Sequence, residues 1–168
     1  MNGERLKAIA GSIVFLFVAP GIVAGLIPYA LSGWRMEPAL WGPEPLRWVG
    51  MLPLVLGGVL LLETFARFAL QGLGTPAPIA PTKTLVVTGS YRFVRNPMYA
   101  AVVSLILGQG LLLGSLGTLV YGAIVWLTVN LFVLAYEEPT LSRDYGEQYA
   151  RYRANVRRWI PRLTPWRS

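Results

Sequence analysis

The sequence predicts an all-α integral membrane protein. It should have about four transmembrane helices, two of them in a helical hairpin, and a C-terminal amphipathic cytoplasmic helix. Three observations carry this. Of 168 residues, 54% are hydrophobic and only 14% charged, whereas soluble domains carry about a quarter charged residues. Mean hydropathy is +0.50. Apolar runs approaching or exceeding the ~20 residues needed to span a bilayer recur along the chain.

The first run extends from about Ala8 to Leu31, with Pro20 and Pro28 expected to kink it. It follows Arg5 and Lys7, as a signal peptide would. It is long for such a segment and lacks a clear small-residue cleavage site, so a retained helix is expected. The second run covers about Trp48 to Phe68. The third, Pro97 to Leu113, is short, and the fourth spans Leu116 to Tyr136. The uncharged "LLLGSLGTL" between the last two leaves little room, which predicts an antiparallel hairpin.

Between the second and third runs, Pro76, Pro78 and Pro81 favour stiff extended backbone, a strap across the membrane surface. After the fourth run, Pro139 predicts a turn at Glu138. Leu141, Tyr145, Tyr149, Tyr152 and Val156 then recur at helical spacing opposite Arg143, Asp144, Glu147, Arg151 and Arg153. That face suits a membrane interface or a cap on the protein's own surface. Gly146 weakens the expectation of one unbroken helix. One membrane domain is expected over 1–168. Residues 1–70 hold two N-terminal helices, 71–96 a Pro-rich cytoplasmic connector, 97–136 the hairpin and 137–168 a cytoplasmic tail.

Of the fifteen Lys and Arg residues, all but Arg35 and Arg47 fall in the N-terminus, the second connection or the tail. The positive-inside rule makes those regions cytoplasmic. The net charge of +7 is then accounted for by membrane topology and anionic lipid, and no nucleic-acid partner is expected. With no Cys and no His, a disulfide framework, a Cys nucleophile and thiolate or imidazole metal sites are excluded. Catalysis must rest on carboxylates, arginines, tyrosines, backbone groups or a bound cofactor.

Two charged motifs stand at the cytoplasmic ends of the hairpin. In "YRFVRNPMY", Asn96 is a favoured N-cap and Pro97 suits a first turn. The open helix N-terminus with Arg92 and Arg95 makes an anion site, flanked by Tyr91 and Tyr99. In "AYEEPTL", Glu137 and Glu138 end the returning helix beside it. In the second helix Glu63 and Arg67 form an i,i+4 pair, and a carboxylate that deep is a functional candidate. A zwitterionic ligand matches this set, its carboxylate on the arginines and its ammonium and hydroxyls on the glutamates. S-adenosylmethionine has these groups and an adenine for the aromatic faces.

"TGSYRFVRNPMY" followed by "YEEPTLSRDYGEQYARYRANVRRWIP" resembles the isoprenylcysteine carboxyl methyltransferase family and its phospholipid N-methyltransferase relatives, over about Gly72 to Pro161. These are small integral-membrane enzymes that use S-adenosylmethionine. The resemblance implies a methyltransferase of the bacterial inner membrane with both termini cytoplasmic, acting in line on a lipophilic acceptor, an isoprenylcysteine-like carboxylate or a phospholipid-like amine. It implies that Arg95, Asn96, Pro97 and Tyr99 line the cofactor pocket opposite Glu137 and Glu138, and that Tyr149, Tyr152 and Arg153 close over it. With Tyr91 and Arg92 these form the expected cofactor-binding set; Arg95, Glu138 and Glu63 are the expected catalytic residues. Asn96 stands where the carboxyl methyltransferase branch usually has His, which favours the phospholipid branch. That branch also implicates a Gly-x-Gly in an earlier helix, answered here only by Gly57 and Gly58, while "GQG" at Gly108–Gly110 reads as packing. The rival functions are an NADPH-dependent membrane sterol or steroid-type reductase and a non-catalytic lipid-binding scaffold.

Overall fold

A computed structural model describes residues 3–71 and 85–167. Lys83 and the prolines of the expected strap lie outside the described residues. Those described contain helices and no strand. α1 (Gly3–Gly21) runs through a π turn (Ile22–Leu26) into α2 (Ile27–Ser32), which ends at Gly33 in the left-handed region, φ 57°. A 3₁₀ turn (Glu44–Gly50) leads into α3 (Met51–Gln71). A second (Gly89–Arg92) precedes α4 (Pro97–Leu113). α5 (Leu116–Phe132) continues through a π turn (Val133–Glu137) into α6 (Glu138–Asn155).

Three helical stretches are long and apolar enough to cross a membrane, Ile13–Ser32, Glu44–Arg67 and Leu116–Asn155, and Pro97–Leu113 is a shorter apolar helix. Between 17 and 28% of each long apolar window is buried. So much outward apolar surface requires a lipid surround. The chain is an all-α membrane protein, as its composition predicts. The last stretch has 40 residues with a bend at Gly146, about twice the ~20 that cross a hydrocarbon layer of about 30 Å. Its apolar part ends near Tyr136, and the charged remainder lies outside the spanning segment.

One helix junction differs from expectation, and a second shares its geometry. Pro139 does not turn the chain at Glu138, which keeps helical angles (φ −62°, ψ −42°). Instead the helix widens before the proline: Glu138 N–H reaches back to Val133 O, one residue further than in an α-helix. The turn ahead of Pro28 does the same, with Ile27 N–H on Ile22 O. Each proline follows its π turn at the same offset. The wider turn relieves the clash of a proline ring with the preceding turn.

The chain divides into two compact units, one of Leu16–Leu61 and Met98–Thr128, the other of Met1–Phe15, Leu62–Pro97 and Val129–Ser168. In the first, the π turn leaves carbonyls to satisfy. Ala24 O loses its usual donor because Pro28 has no N–H, and Gln109 Nε2 donates to it at 2.7 Å. Val23 O is released by the shift of Ile27, and Tyr121 Oη–H donates to it at 3.0 Å. Buried backbone acceptors seldom stay unpaired, least of all away from water. Gln109, at the centre of the "GQG" triplet, thus replaces a proline's missing hydrogen bond.

The glycines of this unit set its helix contacts. A Cβ on Gly50 would lie 2.7 Å from Gly108 O, and one on Gly57 would lie 2.9 Å from Ala101 O. The two contacts share one antiparallel register, seven residues apart on both sides of the helix pair, so small residues let α3 and α4 approach backbone to backbone. Gly110 abuts Leu119 and Gly122 abuts Leu107 across the hairpin, which turns at Gly114 (φ 72°). The packing role expected of "GQG" is met. Gly58 faces open space.

Four outcomes follow for unfolding in detergent. Gly108→Val should cost about 1–3 kcal/mol by overpacking, while Gly58→Ala should be neutral or slightly stabilising. Gln109→Leu should cost about 1–2 kcal/mol by stranding Ala24 O, and Tyr121→Phe a similar amount through Val23 O. Thermal melts monitored by helical circular dichroism check all four.

Candidate functional site

The site is built within the second unit. Residues 89–96 cross from the 3₁₀ turn to the start of α4, and the chain after α6 runs beside them. Arg95 N–H donates to Arg157 O, Arg162 N–H to Phe93 O and Trp166 N–H to Arg92 O, each at 2.9 Å. Arg92 Nε donates to Trp166 O at 2.7 Å and Asn96 Nδ2 to Arg158 O at 3.2 Å. Val156 is extended (φ −118°, ψ 126°), which ends the helix and lets the following residues pair with the motif.

α6 bends at Gly146 (φ 49°, ψ −124°), a conformation that favours glycine. Beyond the bend, Tyr149, Tyr152 and Val156 are buried, with Leu85, Val87, Leu141, Tyr145 and Trp166 around them. The amphipathic face therefore caps the protein's own surface, which decides between the two readings of its tyrosines. Tyr152 Oη–H donates to Tyr91 O at 2.7 Å, and its ring lies 5.6 Å from that of Trp166.

Glu138, 6% exposed, stands in the middle. Arg158 grips it with two bonds, Nε to Oε1 at 2.6 Å and Nη2 to Oε2 at 2.9 Å. Arg95 Nη1 is 3.1 Å from Oε1, and Arg153 Nε is 3.9 Å from Oε2. Arg95 Nη1 also donates to Tyr149 Oη at 3.1 Å. Burial by itself pushes the Glu138 carboxyl up, but the Arg158 hydrogen bonds and the charges of Arg95, Arg158 and Arg153 together hold it below its ordinary value. Burial raises the Tyr149 hydroxyl, so it stays a neutral donor and acceptor at physiological pH. Three guanidinium groups against one carboxylate leave a surplus of two positive charges, and Arg95 Nε is buried without a partner.

Of the expected residues, this cluster joins Arg95, Asn96, Glu138, Tyr149 and Arg153, with Tyr91, Arg92 and Tyr152 linked through backbone bonds. Pro97 is buried at the start of α4, and Glu137 is half-buried in the π turn. Tyr99 falls in the other unit. Glu63 heads a separate group: it pairs with Arg67, and Ser90 Oγ donates to its other oxygen at 2.7 Å. Gly89 (φ 55°) lies against this pair, where a Cβ would strike the Arg67 guanidinium and the Glu63 carboxylate. Sequence reasoning missed Arg158 and Trp166. Both lie in the quoted tail motif or just after it, but beyond the helix, where periodicity no longer says which arginine points inward.

The folded-state pKa of Glu138 lies below its ordinary 4.5. Its contribution to stability is therefore fully present above that value and is lost as pH falls through the folded pKa. Glu138→Gln should abolish this acid-side loss. At neutral pH it should also destabilise, toward the low end of the ~3–5 kcal/mol lost when a buried pair loses one partner, because Arg153 remains half exposed. Melting temperature against pH for wild type and variant measures both effects.

The chain matches the phospholipid methyltransferase family over residues 46–148. The match takes in α3, the "YRFVRNPMY" motif, the hairpin and Glu138, and stops before Arg153 and Arg158. The chain is also similar to an uncharacterized protein of Haemophilus influenzae, 40% identical over 65 residues that make up 38% of this chain and all of that protein. A match over well more than half the chain, including Arg95 and Glu138 of the site, places this protein in the phospholipid methyltransferase family.

Proposed function

We propose that this protein transfers a methyl group from S-adenosylmethionine to a lipophilic acceptor held in the membrane. The observation that carries the reading is the arginine cage on Glu138. Its surplus positive charge and the unpartnered Arg95 Nε fit a carboxylate such as that of the methionine moiety, and Arg153, 55% exposed, is the guanidinium most open to it. Arg95, Arg153 and Arg158 would hold the carboxylate. The bound cofactor would supply an electrophilic methyl on a sulfonium, and displacement at that carbon is in line and gains chiefly from alignment.

Glu138 itself is a positioning residue in this reading. Both of its oxygens are engaged by guanidinium groups, and a carboxylate held at low pKa is a weak proton acceptor. A carboxylate acceptor needs no base. An amine acceptor must lose a proton, and Glu63, with one oxygen on a hydroxyl and the other on Arg67, is our candidate to take it or pass it to water. The cationic N-terminus, second connection and tail support a cytoplasmic placement of this site in a bacterial inner membrane.

Isothermal titration of detergent-purified protein tests the reading. S-adenosylmethionine and S-adenosylhomocysteine should bind and NADPH should not. Arg95→Met should weaken binding by about 10–100-fold, the value of one charge-assisted hydrogen bond. Arg153→Ala, at the rim, should weaken it less. Absence of binding by a folded wild-type sample defeats the proposal, and an NADPH signal in its place points to reductase chemistry.

A further inference from the structure

We infer that the connection between α2 and α3 forms a second site, one that binds the phosphodiester group and upper acyl chain of a membrane phospholipid. The inference is independent of the methyl-transfer reading. Arg47 shares a pocket of about 240 Å³ with Leu40, Trp41, Leu46, Val49 and Leu111. All of these residues belong to the unit of Leu16–Leu61 and Met98–Thr128, and none belongs to the arginine cage.

Arg47 is buried to an extent rare for an arginine, its side chain only 8% exposed. Its Nη2 donates to Glu37 O and meets Glu44 Oε2 at 2.8 Å. Its Nε is buried with no hydrogen-bond partner. A buried N–H without an acceptor is costly, and more so where lipid replaces water. The group is held on one side by Glu37 O and Glu44, lines a pocket whose other side chains are apolar, and is short of one oxygen at Nε.

The surroundings identify the oxygen's source. Trp34, Trp41 and Trp48, three of the six tryptophans, are 58, 61 and 57% exposed along this same connection. Tryptophan collects at the headgroup level of a bilayer. There a guanidinium meets phosphate oxygens, for which its planar fork is suited. Glu44, 64% exposed, neutralises Arg47 from the outer side and so disfavours a multiply charged anion. A phosphodiester with one negative charge fits better than free phosphate. The apolar walls take methylenes, and the pocket volume limits them to the upper part of one chain.

The test is native mass spectrometry of the full chain released from mild detergent. The probes are phosphatidylglycerol, phosphatidylethanolamine, dioleoylglycerol, which lacks phosphate, and inorganic phosphate. We expect one retained phospholipid of either headgroup, at least tenfold weaker retention of dioleoylglycerol, and no retention of inorganic phosphate. Arg47→Met should reduce phospholipid retention at least tenfold. Val49→Trp, which fills the pocket and keeps Arg47, should do the same, and it decides the matter if the arginine variant fails to fold. The inference is overturned if dioleoylglycerol is held as well as phospholipid, if inorganic phosphate alone occupies the site, or if retention survives in every folded variant.

Discussion

A single carboxylate at the first turn of α6 gathers three guanidinium groups from separate stretches of chain. Arg95 comes from the motif before α4, Arg153 from the far end of α6, and Arg158 from the extended segment after it. Burying one of these charges alone would be prohibitive. Together they exchange donors and acceptors at 2.6–3.1 Å, with Arg153 further out at 3.9 Å. The rest of the second unit follows from this. Arg158 can reach Glu138 only if the chain reverses after Val156, and the reversal brings residues 157–166 alongside Arg92–Asn96. The tyrosine face of α6 must then cover that seam.

The cage is unbalanced by design of its residues: three positive charges and one negative. A structure serving stability alone would gain from equal numbers, since each surplus guanidinium adds repulsion. An anionic ligand would complete the set, and that links the packing of this unit to the chemistry proposed for it. Glu138 and Glu63 differ in their partners. The first organises cations and is poorly placed to accept a proton; the second has one oxygen on a hydroxyl.

Proline and glycine place the helices with comparable economy of means. Each of two prolines sits in a long helix and each follows a π turn, so the helix continues where it would otherwise break. In the unit where the released carbonyls are served by side chains, the servers are Gln109 and Tyr121, polar groups in apolar helices. Glycines at 50, 57 and 108 separately bring α3 and α4 into backbone contact.

The sequence by itself determined the membrane class, the helix count, the hairpin and the two motifs that meet at the site, because those depend on local hydropathy and on turn chemistry. It located α4 to the residue, since Asn-Pro and Gly-Ser mark its ends. It named Arg95 and Glu138 from motif order, and Tyr149 and Arg153 from the family resemblance, and the structure brings these four side chains into one cluster. Tertiary structure alone decided the rest. The continuous helix through Pro139 depends on a register shift that no local propensity signals. Arg158 turns inward because extended backbone after Val156 abandons the helical period, so its direction is set by Glu138, far away in sequence. The tyrosine face covers the protein's own motif because that surface offers Tyr91 O and Trp166 as partners, and a one-dimensional pattern holds no record of which apolar surface will be opposite.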